Sequence, residues 1–284
     1  MRGIQVGSEA TKEQIENLLS LKINLIRFQI APYQTEDESL WRKQVIEHST
    51  KLVSLAKEFE GKIKFIVDLH RVPASLGKGA AIKGWTLILQ HIKGLPAIHG
   101  YGILNEPKGS SGHIRTIMKE TGEFLRKEDN KKLLILTFPF SDPPHFLSAQ
   151  DYGFSNCWYE VHMYLPLAFT HQKLYQYIKE RKYPDQDLSK ERLKKLLLPV
   201  RNFQKQTKKP IYVGEFSVCN YADEASRAAY IGDCISIFEK WHWHWTYHAM
   251  FESEIWNPQG KVLDVLKEGW ARNHHNWIRR LLNI

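Results

Sequence analysis

The sequence predicts a single α/β domain of the (β/α)₈ class, a TIM barrel, on three observations. Eight short apolar runs recur along the chain, most followed by a stretch with helical apolar spacing; such alternation argues for a parallel sheet with helical crossovers. The 284 residues suit a closed eight-fold barrel, which typically takes about 250 residues. The competing open doubly wound sheet announces itself by a Gly-rich phosphate turn after its first strand, and Gly7-Ser8-Glu9 offers none.

Taken in order, Ile4–Val6 is a short apolar start. Thr11 with Gln14 three residues on fits a capping box, and Ile15, Leu18, Leu19 and Ile23 repeat at helical spacing behind it. Leu25–Ile30 reads as strand two, interrupted by Arg27. Trp41–Glu60 reads as a long helix with Val45, Leu52, Leu55, Ala56 and Phe59 on one face, closed by Gly61 in the position where glycine ends helices. Ile63–Leu69 is strand three. Trp85–Ile98 is expected to be helical, with a break at Gly94-Leu95-Pro96, and Tyr101–Asn105 is strand four. His113–Arg126 is a helix and Leu133–Phe138 strand five. Cys157–Tyr164 is strand six, Leu188–Gln206 a basic amphipathic helix, and Ile211–Val218 strand seven. Ala225–Trp241 is a helix, Trp245–Phe251 strand eight, and Leu263–Ala271 a last helix. No Pro/Gly/Ser-rich linker, internal repeat or low-complexity segment marks a second domain, so one domain over 1–284 is expected.

Composition narrows the class. A hydrophobic content of 43% supplies a sizeable core, and no run has the length and apolarity of a membrane helix. Met1 to Gly7 passes at once into Glu and Lys, without an apolar stretch of signal-peptide length. A cytoplasmic chain is the expectation, although a secreted one stripped of its leader reads the same. Cys157, Cys219 and Cys234 form no disulfide framework and no short metal-type spacing. The net charge of +9 raises nucleic acid as a partner. Its lysines, however, lie in helical patches such as Leu193-Lys194-Lys195-Leu196, mixed with Glu and Leu. They read as solvated faces, since charge alone binds without sequence specificity.

Polar and aromatic intruders gather at the carboxyl ends of the strands, where a parallel barrel builds its chemistry. Strand two offers Arg27 and strand three His70. Strand four ends in Asn105 and Glu106, stopped by Pro107, which cannot donate a ladder hydrogen bond. Strand six offers His162 and Tyr164, strand seven Glu215, and strand eight Trp245, Tyr247 and His248. Singly, each has a bland explanation: a strand histidine is ordinarily a satisfied core residue, and Arg27 can simply pair with a buried acid. The two glutamates on strands four and seven, nearly opposite around a barrel, shift that balance. Two carboxyls facing across a cleft are what glycosidic bond cleavage needs, one to protonate the leaving oxygen and one to attack the anomeric carbon or activate water.

Ile103-Leu104-Asn105-Glu106-Pro107 and Val213-Gly214-Glu215-Phe216 resemble the two glutamate motifs of glycoside hydrolase family 5, the cellulase and mannanase family of (β/α)₈ retaining enzymes. Leu25-Ile26-Arg27 resembles its strand-two arginine, Asp68-Leu69-His70 its strand-three histidine, and Val161-His162-Met163-Tyr164 its His-x-Tyr. Order and spacing agree from about Ile4 to Trp270. The resemblance implies that Glu106 is the acid/base and Glu215 the nucleophile, and that Asn105 bonds the sugar 2-hydroxyl. It implies that Tyr164 and Arg27 orient and ionise Glu215, and that His70 and His162 bind sugar hydroxyls or position Glu106. It also implies no cofactor.

Strand eight departs from that pattern. The family commonly places a Trp platform there, and here the run is Trp245-Thr246-Tyr247-His248-Ala249-Met250-Phe251-Glu252. Either Trp245 or Trp256 is expected to serve, or His248 and Phe251 line the site differently. The N-terminal strand is short, so the first βα loop is expected to contribute little. His242-Trp243-His244 with His248 has spacing that can ligate a metal, but no two His converge with an Asp on one strand end, and no metal is expected. The expected activity is retaining, endo-acting cleavage of β-1,4-linked glucan, with β-mannan or another β-glycoside as the alternative. A sugar-binding barrel without catalysis and a metal-dependent barrel hydrolase rank lower. The loops around Leu165 to Pro184 and Glu252 to Gly260 are expected to decide substrate. The expected partner is an oligo- or polysaccharide, with no separate carbohydrate-binding module, no specific nucleic acid, no membrane and a monomeric state.

Overall fold

Strands buried on both faces decide the architecture. The computed structural model describes residues 1–175 and 177–282, the side chains of 273–282 excepted. Eight parallel strands close into a barrel in sequence order: β1 (Arg2–Val6), β2 (Leu25–Ile30), β3 (Lys64–Leu69), β4 (Ile98–Gly102), β5 (Leu133–Leu136), β6 (Cys157–Met163), β7 (Ile211–Phe216) and β8 (His244–Met250). β8 pairs in parallel with β1, which closes the ring. Helices α1 (Lys12–Ser20), α2 (Glu38–Glu58), α3 (Ala80–Ile92), α4 (Ser111–Glu128), α5 (Leu167–Thr170), α6 (Lys190–Leu196), α7 (Leu198–Thr207), α8 (Glu224–Lys240) and α9 (Gly260–Leu282) lie outside it. The predicted barrel is therefore the observed one. Among the described residues no helix is long and apolar enough to cross a membrane, and all three cysteines are buried and free.

Caps explain where the helices start. Thr11 and Gln14 form the predicted capping box. Asp37, Ser110 and Asp223 accept from the first-turn amides of α2, α4 and α8, and so begin these helices three, two and one residues before their apolar patterns do. Three expectations shift more. α3 ends at Ile92 rather than Ile98, and β4 then runs over Ile98–Gly102, earlier than Tyr101–Asn105, so Asn105 and Glu106 lie beyond the strand. The expected helix Leu188–Gln206 is two helices, because Pro199 sits in the first turn of α7 and has no N–H to continue α6. The last helix extends well past Ala271.

Inside the barrel, Leu25, Ile66, Leu133, Ile135, Trp158 and Tyr212 form a separate apolar cluster. Two positions further along their strands stand Arg27, Asp68, Thr137, Glu160 and Gly214, all buried or flush with the wall. One side-chain step is about 7 Å of strand. Over that step the interior changes from a greasy plug to a charged layer. The outward residues between them, such as Phe28, Val67, Tyr159, Val161 and Phe216, join the larger core under the helices. The plug seals the barrel from below, and the charged layer carries the site above.

Candidate active site

Arg27 stands in the middle of β2, completely buried. An unpaired guanidinium there is prohibitive, and the layer answers it from five other strands or their ends. Its nitrogens lie 3.1 Å from Asp68, 3.2 Å from Glu160 and 2.7 Å from Glu215. One also donates to Asn105 Oδ1 at 2.8 Å, and another to Gln5. Burial opposes its charge, but the three carboxylates overcome this and push its pKa well above the ordinary value. Arg27 is sealed beneath the cleft, out of reach of a substrate, and acts on Glu215.

Glu215 reaches its place through a fault in strand pairing. Val213 pairs with Val161, but His162 pairs with Glu215, leaving Gly214 as an extra residue in β7. A bulge of this kind re-aims the side chain that follows. Gly214 is required because a Cβ there would lie 1.8 Å from Glu160 Oε1. The Glu215 carboxylate is buried, with Oε1 accepting from Arg27 at 2.7 Å and Oε2 from the Tyr164 hydroxyl at 2.8 Å. Burial alone would raise its pKa. The positive His162, His248 and Arg27 outweigh burial and hold it well below the usual carboxylate range.

Glu106 lies four residues past the end of β4, with a left-handed φ of +39° that non-glycine residues seldom adopt. Its side chain is 41% exposed, against 6% for Glu215. His162 links the two. Its Nδ1 lies 2.8 Å from Glu106 and 3.7 Å from Glu215, and its Nε2 lies 3.3 Å from Glu160. Burial pulls the His162 pKa down, but the Glu215 charge and the bonds to Glu106 and Glu160 lift it to about 10. It therefore donates from both nitrogens at neutral pH. One ligand atom from each of Glu106, His162 and Glu215 lies within 4.8 Å of the others.

A second branch orders the β3–β4 side. His70 Nδ1 lies 2.7 Å from Asp68, and Asn105 Nδ2 lies 3.3 Å from His70 Nε2. With Nδ1–H donating to Asp68, Nε2 accepts from the Asn105 amide, which fixes that side chain's orientation. From here a cleft of about 720 Å³ opens over the loops after β2, β3 and β4, lined by Tyr33, Trp41, His70, Asn105, Glu106 and His113 among others.

Strand eight corrects one expectation. Trp245 is fully buried on the outer face of the barrel, its ring 5.6 Å edge-on from Phe216. A Cβ on Gly269 of α9 would lie 3.1 Å from it. It faces the helix layer and cannot stack on a ligand in the cleft. Trp256, half-buried in the loop after β8, is the one of the two that lies near the site, 5.6 Å from His248, 6.0 Å from Tyr164 and 5.1 Å from His171. His248 faces inward with Nε2 3.2 Å from Glu252. His242 and His244 stay at the opposite end of β8, where His244 stacks on Trp158 at 4.0 Å, so they do not converge with His248.

The structure thus brings Arg27, His70, Asn105, Glu106, His162, Tyr164, Glu215 and His248 together, with Trp256 at the rim. Sequence reasoning missed Gln5, Asp68, Glu160 and Glu252. Two of these carried a readable signal: Asp68 and Glu160 precede His70 and His162 by two, so they share the inward face. Gln5 also shows that the first strand contributes to the site, although its loop is short. Glu106, His162 and Glu215 are the one grouping of acids and imidazole among the described residues that is tight enough to span a cation. Arg27, 2.7 Å from Glu215, would repel a divalent ion there, so the donor set suits a proton better than a metal.

The chain that carries these two carboxylates has relatives among known proteins. Endoglucanase C of Acetivibrio thermocellus is 28% identical over 195 residues, covering 57% of this chain and 57% of the relative. The chain thus spans little more than half the length of that curated relative. The solved cellulose synthase subunit Z of Clostridioides difficile superposes with a TM-score of 0.77 at 19% identity, covering 93% of this chain and 98% of that one. Cel5A of Thermotoga maritima, solved with cellobiose, superposes with a TM-score of 0.75 at 20% identity, covering 93% and 96%. At these identities the two structures establish the shared fold. Residues 2–253 match the family described as Cellulase (glycosyl hydrolase family 5), and the chain belongs to that family.

Proposed function

We propose that this chain is a retaining glycoside hydrolase that cleaves β-1,4-linked glucan within the polymer, by double displacement on two glutamates. The observation that carries the reading is the grouping of one Glu106 oxygen, one Glu215 oxygen and a His162 nitrogen within 4.8 Å. Retaining enzymes hold their carboxyls about 5–5.5 Å apart, whereas inverting ones leave about 6.5–9.5 Å for a water. Family membership and the endoglucanase relative support the glucan assignment.

In the first step Glu106 gives its proton to the glycosidic oxygen while Glu215 attacks the anomeric carbon. The bond to the leaving sugar breaks and a glycosyl ester forms on Glu215. Arg27 and Tyr164 hold the attacking carboxylate in place and ionised, so no reorganisation is needed as the charge is spent. His162 donates to one Glu106 oxygen and leaves the other for the transferred proton. In the second step Glu106 takes a proton from water, water attacks the anomeric carbon, and Glu215 leaves as carboxylate. Asn105, fixed by His70 and Arg27 beside Glu215, is placed to bond the sugar 2-hydroxyl.

Reducing-sugar release from soluble glucan, mannan and xylan, with Glu106→Gln and Glu215→Gln alongside, tests this. Glucan is expected to be cut fastest, and both variants to lose activity. Undiminished activity in either variant would sink the mechanism, and faster cleavage of mannan would move the substrate. Activity lost on chelation and restored by a divalent metal would overturn the metal-free reading. A slowly released 2-fluoro sugar is expected to label Glu215.

A further inference from the structure

His248 is a buried imidazole on β8 for which the two-glutamate chemistry has no direct use. Its ring lies 6.0 Å from that of Tyr164, whose hydroxyl is bonded to Glu215. Its Nε2 is held by Glu252 at 3.2 Å, while its Nδ1 has no partner among the described residues. Its orientation toward Glu215 therefore depends on Glu252. The other Glu252 oxygen accepts from Gln5 Nε2 at 3.2 Å, and Gln5 Oε1 accepts from the same Arg27 nitrogen that holds Glu215. Arg27, Gln5, Glu252 and His248 thus form a continuous hydrogen-bonded chain that starts at one partner of Glu215 and ends beside the other, Tyr164, drawn from β2, β1, the loop after β8 and β8.

We propose that Gln5, Glu252 and His248 are positioning residues for Glu215: Glu252 holds the imidazole as a cation beside the nucleophile, and Gln5 ties that carboxylate to Arg27. The proposal rests on Glu215 acting as the nucleophile. The charged and titratable groups facing His248 are Glu252 from the loop after β8, Glu215 from β7, Arg27 from β2, and Tyr164 and His171 from beyond β6. Burial and the positive Arg27 disfavour the imidazolium, but Glu252 and Glu215 prevail and raise the His248 pKa. Burial raises the Glu252 pKa, but His248 and Gln5 pull it down on balance. The cation in turn stabilises ionised Glu215. A neutral aromatic ring at this position would leave that work to His162, Arg27 and His70.

The test is the pH dependence of kcat/KM on a soluble glucan for His248→Gln and Glu252→Asp, beside the wild type and Glu215→Gln. Removing the cation raises the Glu215 pKa, so the acid limb of the His248→Gln profile is expected to move up by roughly half to one pH unit. Glu252→Asp keeps the negative charge but withdraws it from the imidazole, and is expected to move the limb the same way by less. It carries the test should His248→Gln fail to fold. Acid limbs that coincide with the wild type, or a loss equal at every pH, would mean packing alone and overturn the proposal. Activity retained by Glu215→Gln would overturn the nucleophile reading instead, and this proposal with it.

Discussion

The Tyr164 hydroxyl donates to Glu215 Oε2 at 2.8 Å, while Arg27 holds Oε1 at 2.7 Å. The carboxylate is gripped by both oxygens, one by a cation and one by a neutral donor. Burial and the Glu215 charge push the phenol pKa well above its ordinary value, so Tyr164 remains a donor across the working pH range. Tyr164→Phe removes one bond to a charged acceptor, worth about 1.5–3 kcal/mol. At 1.36 kcal/mol per tenfold, kcat is expected to fall roughly 10- to 100-fold. Steady-state kinetics check this, and an unchanged kcat would show that Arg27 suffices.

Trp245 and Trp256 make opposite predictions. Trp245 fills the space between β8 and the outer helices, so Trp245→Ala is expected to cost about 3–5 kcal/mol of stability and to leave kcat/KM of the folded fraction unchanged. Trp256 is half-buried at the rim beside His248 and Tyr164. Trp256→Ala is expected to raise KM for the polymer with little change in stability. Denaturant unfolding and kinetics on both variants separate the two roles, and a reversed pattern would return Trp245 to the site.

Gly214 tests the bulge. Its missing side chain is the space that the Glu160 carboxylate occupies, since a Cβ would fall 1.8 Å from Glu160 Oε1. Gly214→Ala must displace Glu160 from Arg27 and His162 together. Overpacking of this kind costs about 1–3 kcal/mol, and activity is expected to fall further than stability because Glu215 is the next residue. A crystal structure of the variant with Glu160 unmoved would contradict this account.

The barrel was legible because short continuous apolar runs and helical spacing are local patterns, and each strand, buried on both faces, shows the first in its own few residues. Glu106 and Glu215 were legible for the same reason, as acids ending apolar runs. The Arg27 cluster was not, because Gln5, Asp68, Glu160 and Glu215 come from four separate strands and meet only when the ring closes. The Gly214 bulge hides as well: an extra residue in one strand is defined by its partner's register, which a single sequence does not display. Strand eight holds the opposite lesson. Trp245 and His248 are three residues apart, so a regular strand cannot turn both inward, and that parity was readable from the start. The break in Leu188–Gln206 was readable too, since Pro199 stood inside it.

His162 makes the last prediction, through proton linkage. Its pKa is lifted to about 10 in the folded chain because burial is outweighed by Glu215, Glu106 and Glu160, whereas an unfolded histidine titrates near 6.5. The folded state therefore binds the proton more tightly. This stabilisation is fully present below about pH 6.5 and fades as pH rises through about 10. His162→Gln lacks it, so the stability gap between wild type and variant is expected to be widest near pH 6 and to narrow steadily toward pH 10. Chemical denaturation of both proteins across that range measures the gap. A gap that widens with pH would mean that His162 is held neutral. It would then donate to only one carboxylate at a time, and the link between Glu106 and Glu160 through a single imidazolium would be lost.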